Sequence, residues 1–278
     1  MKYFISYGDQ HFKMSLDRIR KEAENLKIFD KIITYTPADF SDDFKKHPLL
    51  KYKRGGGYWV WKAYFVLKTL EEMGEDDILF YADSGCNLFP SRSWEKYFKL
   101  LRHKDIVCFK IVRRCGAYTK KNVLEYFTPQ LGPYWRHYYQ IAATTFFMRK
   151  NAFTLDFTKE WFSLFTEDMI LDSTEPQHEG FIEHRHDQSI LSGLLYKYED
   201  HAEILTNDFE SRRKGQAILA SRLRDDVSPT TKHKKSWGDF HIKRPVGIFL
   251  RRCEQFYWHR RNTNYLKNGK WQKDWRLV

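Results

Sequence analysis

Apolar and polar positions along the chain change period repeatedly, and the changes lay out alternating strands and helices. Lys2–Tyr7 reads as a first strand that ends at Gly8-Asp9. Phe12, Leu16, Ile19, Ala23 and Leu26 then recur at helical spacing, which predicts an amphipathic helix. Lys31–Tyr35 is a second strand, with Pro37 and the Asp42-Asp43 pair marking its exit loop. The triplet Gly55-Gly56-Gly57 precedes a strongly apolar helix over residues 58–73, and residues 78–81 form the next strand. This β-α-β-α-β order predicts a largely parallel sheet with right-handed crossovers.

Further along, the pattern predicts a helix over 94–101, strands over 106–112 and 141–148, and a helix running through Trp161 and Phe165. Residues 170–180 are polar and contain Pro176, so they read as a loop; helical spacing returns over 188–198. From about Ser211 the character changes to Arg- and Lys-rich sequence, with Phe256-Tyr257-Trp258 beside His259-Arg260-Arg261. The expected organisation is an α/β domain over 1–210, a mixed but mainly parallel sheet flanked by helices, followed by a basic-aromatic appendage over 211–278.

Composition narrows the partners. The formal charge of +12 points to an anionic ligand: a nucleotide, a nucleic acid or a negative membrane surface. Cys86, Cys108, Cys115 and Cys253 show no paired C-x-x-C spacing, which argues against a zinc site or a disulfide scaffold and fits a reducing cytosol. No run approaches the roughly 20 apolar residues of a membrane span, so the expected location is cytoplasmic, at or near the inner face of a membrane.

Two constellations carry candidate chemistry. Ile78-Leu79-Phe80-Tyr81-Ala82-Asp83-Ser84-Gly85 is an apolar strand that delivers a carboxylate to its carboxyl end, the edge where open α/β sheets bind ligands. A carboxylate there suits a hard divalent cation, Mg2+ or Mn2+, that would neutralise a diphosphate leaving group; a turn cap at Ser84-Gly85 is the structural alternative. About 100 residues later, His184-Arg185-His186-Asp187-Gln188-Ser189 opens onto an apolar helix, where Asp187 is also an N-cap candidate. The glycine triplet permits close backbone approach and Lys62 follows it, placed to meet a phosphate; no P-loop spacing is present. Tyr7 and Asp9, at the end of the first strand, are candidates to stack on a base and to hydrogen-bond a ribose.

The segment Tyr81-Ala82-Asp83-Ser84-Gly85 resembles the D-x-D region of GT-A glycosyltransferases, whose fold is Rossmann-like. It departs from that pattern because Gly85 stands where the second aspartate falls, which either removes the metal dependence or shifts the missing ligand to a residue such as Asn87 or a histidine. Arg185-His186-Asp187-Gln188-Ser189-Ile190-Leu191 resembles the Asp-Gln segment of retaining GT-A enzymes, including bacterial lipooligosaccharide galactosyltransferases and glycogenin. The resemblance covers roughly residues 3–200. It implies that Asp187 and Gln188 are catalytic, that Tyr7, Asp9, Lys62, Asp83 and Arg185 bind the donor, and that Asp83 with either His233 or His241 holds the metal.

What the resemblance implies is a hexosyltransferase that uses a UDP- or GDP-sugar, acts with retention on a saccharide or lipid-linked acceptor, and serves capsule or lipopolysaccharide synthesis as a peripheral membrane protein. The alternative is a basic nucleic-acid-binding protein without enzymatic activity. It explains the charge but leaves the acidic strand end without a role, and no RNA-recognition, zinc-finger or helix-turn-helix signature appears.

Overall fold

The computed structural model describes residues 1–206, 209–210, 212–223, 257–258 and 260. His233 and His241 lie outside the described residues, as does most of the C-terminal basic-aromatic stretch. Seven strands form the main sheet: β1 (Lys2–Tyr7), β2 (Lys31–Tyr35), β3 (Ile78–Ala82), β5 (Ile106–Arg114), β6 (Tyr139–Ile141), β7 (Thr145–Arg149) and β8 (Ala202–Leu205). The order is β2-β1-β3-β7-β5-β6, with β8 also on β5. Strands β1, β2, β3, β5 and β8 run one way, while β6 and β7 run against them. The sheet is therefore mixed and mainly parallel. A second ribbon pairs β4 (Asn87–Leu88) antiparallel with β9 (Ile218–Leu219), so chain from beyond the compositional change returns to the loop after β3.

Strict alternation along the strands sorts the core into two layers. Tyr3, Ile5, Tyr7, Leu79, Tyr81, Phe146 and Met148 face one cluster, covered by helices α3 (Val60–Glu72), α6 (Lys121–Leu131), α7 (Ala152–Ser163) and α9 (Asp187–Lys197). Phe4, Phe80, Ala82, Val107, Phe109 and Phe147 face the other, under α1 (Lys13–Leu26) and α4 (Ser93–Leu100). Helix α1 buries the stripe Ser15, Leu16, Ile19 and Ala23; Arg20 pairs with Glu24 at the surface, while Arg18 and Glu22 pair against the loop after β3. Short helical turns α5 (Cys115–Tyr118) and α8 (Glu167–Ile170) complete the α9 side. No helix among the described residues is long and apolar enough to cross a membrane.

Two local features differ from the sequence expectation. The single strand expected over 141–148 is two, β6 and β7, separated by Ala142-Ala143-Thr144; the break frees carbonyls that serve the site below. The glycine triplet does not simply precede a right-handed helix. Gly55 through Trp59 all have positive φ, and this α2 turn (Gly55–Tyr58) is left-handed. Glycine adopts that conformation freely, but Tyr58 (φ 52°) and Trp59 (φ 63°) do so at a cost of about 1–2 kcal/mol each.

Candidate active site

A crossover helix runs antiparallel to the strand it precedes, so the first turn of α3 lies beside the last residue of β3. Lys62, on the inner face of that turn, is therefore carried to the carboxyl rim of the sheet. It is 2% exposed and spends its ammonium on three oxygens: Asp187 Oδ2 at 2.7 Å, Ala143 O at 3.0 Å and Asp83 Oδ1 at 3.3 Å. Asp83, one residue past β3, shares the face of Tyr81, and the Tyr81 hydroxyl donates to the same Oδ1. The Asp83 amide is fixed by the Thr144 carbonyl, 2.9 Å away. The β6–β7 break thus holds both the lysine and the aspartate.

Asp187 opens α9 but does not cap it. His186 occupies the N-cap position, and the Asp187 carboxylate turns to Lys62. The two carboxylates that are about 100 residues apart in sequence meet at one buried cation. Burial works to lower the Lys62 pKa, but attraction from Asp187 and then Asp83 outweighs it, so the net direction is upward and the ammonium persists. Burial pushes the Asp83 carboxyl above its ordinary range, against the pull of Lys62 and Tyr81. The group carries two carboxylates against one ammonium.

Three acceptor atoms at this rim have no partner among the described residues: Asp83 Oδ2, Asp187 Oδ1 and the Gln188 side-chain carbonyl. Asp83 keeps 33% of its side chain exposed, enough to meet a ligand. Gln188 is half-buried and oriented by its amide, which donates to Gln140 Oε1 at 2.6 Å. Gln140 is fully buried, and its own amide donates to Tyr118 O, Thr119 Oγ1 and Ser189 Oγ. The relay fixes the Gln188 amide nitrogen, so its open carbonyl has a defined direction.

Strain gathers next to this group. His186 has φ 47° and ψ −117°, a conformation that a non-glycine residue adopts only when its surroundings force it. Its ring stacks on Trp59 (5.4 Å) and meets Tyr58 edge-on (5.0 Å), so the strained left-handed turn before Lys62 packs on the strained residue before Asp187. The His186 Nδ1–H donates to Ile170 O at 2.8 Å. Arg54 pairs with Asp172 at 2.6 Å and Tyr58 donates to it at 3.3 Å, closing the outside of this contact.

The other expected site residues divide. Lys62 belongs to the site, but as an internal cation whose three protons are already placed; the expectation that it meets a donor phosphate directly is corrected. Tyr7 is corrected too: its ring stacks on Trp61 at 4.0 Å, is flanked by Phe40 and Phe65, and is 7% exposed, so it offers no face to a base. Asp9 Oδ1 accepts from the His11 amide at 2.9 Å, which is turn capping. Arg185 pairs with Glu183 and lies over the Tyr118 ring, 5.5 Å from its centroid. His184 is buried, with Nε2 directed to Met169 O and Nδ1 to the Lys120 amide; desolvation, then the charges near it, hold it well below the usual histidine range. Sequence reasoning missed Tyr81, Gln140 and the Ala143 carbonyl. Tyr81 was within reach, since period-two alternation puts it on the face of Asp83.

The described residues do not fit a cation held in the D-x-D manner. A Cβ at Gly85 would lie 3.2 Å from Leu223 O and 3.3 Å from Arg222 Cα, so backbone occupies the space a second aspartate needs. Asn87 is no substitute: its amide donates to Glu22 at 2.8 Å, and its carbonyl accepts from Ser221. No group of three His, Cys, Asp or Glu residues suited to a metal ion occurs among the described residues.

No family model matches the chain, and no curated protein matches it. Among solved structures it is similar to the galactosyltransferase LgtC in complex with donor and acceptor sugar analogs, at 14% identity over 73% of this chain and 72% of that one, TM-score 0.37. It is also similar to the glycosyltransferase GlyE of Streptococcus pneumoniae TIGR4, at 13% identity over 99% of this chain and 66% of that one, TM-score 0.40. A third is 4-diphosphocytidyl-2C-methyl-D-erythritol synthase from Anaerococcus prevotii DSM 20548, at 12% identity over 78% and 93%, TM-score 0.41.

Proposed function

We propose that the rim formed by Asp83, Lys62, Asp187 and Gln188 is the donor-sugar site of a GT-A-type glycosyltransferase. The observation that carries this reading is the set of open acceptors. Ligand hydroxyls are donors, and a polyol ring is the ligand that satisfies several fixed carboxylate and carbonyl oxygens at once. Asp187 Oδ1 and Asp83 Oδ2 would receive sugar hydroxyls. The Gln188 carbonyl, aimed by Gln140, would face the anomeric carbon.

The electrostatics match the same chemistry. Cleaving a glycosyl–phosphate bond builds positive, oxocarbenium-like charge on the sugar. A water-poor group with one more carboxylate than ammonium favours that charge, and its dipoles are oriented before reaction. Lys62 holds the two carboxylate side chains together, its ammonium between like charges that would otherwise repel. Tyr81 and the Thr144 carbonyl hold Asp83 in place. No step is assigned to a metal ion, because the described residues do not fit one.

The resemblance of the Asp187-Gln188 segment supports retention and a hexose on UDP or GDP. The basic-aromatic composition of 211–278 supports a saccharide or lipid-linked acceptor at the cytoplasmic face of a membrane, in cell-surface polysaccharide synthesis. Incubating the protein with a panel of UDP- and GDP-sugars should release free nucleotide by slow donor hydrolysis. Asp187→Asn should lower that release by about 100-fold, with the fold retained. Absence of release from every donor, with and without a range of saccharide acceptors, would defeat the proposal.

A further inference from the structure

A second charged feature lies at the far end of the β4–β9 ribbon. Arg212-Arg213-Lys214-Gly215 forms a turn in which Gly215 has φ 77°, a left-handed conformation that suits glycine. The turn is tied down at several points. Gln216 accepts from the Arg213 amide and donates to Ile218 O at 2.7 Å; the Ser91 hydroxyl donates to Gly215 O at 2.5 Å, and the Phe89 amide to Ala217 O at 2.8 Å. Between this turn and Phe89-Pro90 lies a depression of about 350 Å³. Arg212 sits 6.0 Å from the Phe89 ring centroid.

Its charge is one-sided. Three consecutive cations line the depression, and no carboxylate among the described residues does. Several other surface cations are matched: Lys51 with Glu167, Arg54 with Asp172, Arg149 with Asp76, and Arg222 with Glu210. Arg212 and Lys214 form no ion pair among the described residues. Neighbouring like charges repel, and a flexible turn would splay them into solvent; here the backbone ties keep them around one concavity. Guanidinium forks and an ammonium together suit a tetrahedral oxyanion carrying about two charges better than a single carboxylate.

We propose that the depression between Phe89-Pro90 and the 212–216 turn is a binding subsite for a phosphate group, monoester or diester. The volume admits a phosphorylated saccharide, and a lipid phosphate headgroup presents the same chemistry. The subsite is separate from the Asp83–Asp187 rim, and its anion binding stands whatever reaction that rim performs.

The test is calorimetric titration of the full chain at low ionic strength with inorganic phosphate and with glucose 6-phosphate. Co-sedimentation with vesicles of phosphatidylcholine and phosphatidylglycerol runs in parallel. An Arg212→Ala/Lys214→Ala variant should bind at least about tenfold more weakly, a loss of about 1.4 kcal/mol or more, at an unchanged melting temperature. Lys214→Arg should retain binding. Tight binding of glucose 6-phosphate assigns the subsite to phosphorylated saccharides; binding to the vesicles alone, lost in the double variant, assigns it to a lipid headgroup. Equal binding by wild type and double variant, or no binding to any of the three probes, overturns the proposal.

Discussion

Lys62 and the Arg212–Lys214 turn are both cationic, and the contrast between them shows how placement sets the worth of a charge. Lys62 is 2% exposed, meets three oxygens and joins two distant segments. Arg212 and Lys214 are exposed and form no ion pair among the described residues; Arg212 lies over the Phe89 ring. The buried charge is an internal strut of the site, so removing it damages structure and chemistry together. The exposed charges are available to a ligand and add little to stability. One residue class thus performs opposite tasks in a buried helix turn and in an exposed loop.

The largest effect should follow from Lys62→Met, which leaves Asp83 and Asp187 facing each other without a cation. We expect a loss of about 3–5 kcal/mol in denaturant unfolding. A loss under about 1 kcal/mol, the range of surface ion pairs, would break the contrast. Gly85→Ala should come next, at about 1–3 kcal/mol in the same assay, because its Cβ meets the backbone of Arg222 and Leu223 at 3.2–3.3 Å. No effect would mean that the ribbon end shifts freely.

Proton linkage gives a third, intermediate effect. His184 titrates well below 6.5 in the folded chain because burial, and then His186 and Lys120, disfavour its charged form. A depressed histidine leaves the folded state with fewer bound protons than the unfolded state below pH 6.5. Stability is therefore full above that value and falls as pH drops from it, by up to about 1.4 kcal/mol per pH unit for this one group. Melting curves between pH 7 and 5 should show the decline, and His184→Gln should flatten it. The smallest effect is expected for Arg212→Ala/Lys214→Ala, within about 0.5 kcal/mol of wild type, measured by the same unfolding experiment.

The sequence made the layered α/β order legible because period-two runs and helical stripes alternate cleanly. It also marked Asp83 and Asp187, since a carboxylate at a strand end and another at a helix start are local facts. What joined them was not local. Lys62 reads as a phosphate contact, but its role as the cation between the two carboxylates follows only from the antiparallel packing of α3 on β3. The Ala142-Ala143-Thr144 break hides in the sequence because β-branched threonine beside alanine reads as readily as strand. The left-handed Gly55–Trp59 turn was half-legible: the glycines advertise freedom, but Tyr58 and Trp59 follow them only because His186 packs against both. Helix α6 was missed with Pro129 inside it, because a proline lacks the backbone donor and reads as a helix breaker. Tyr7 misled because an aromatic at a strand end looks the same whether it faces a ligand or Trp61.

The most direct measurement is a double-mutant cycle on donor turnover with Asp83→Asn and Asp187→Asn, each checked for retained fold. If the two carboxylates act through Lys62 as one unit, each single change should remove most of the nucleotide release, and the double variant should be no worse than the poorer single. Independent, multiplicative losses, or full activity in either single variant, would contradict the account.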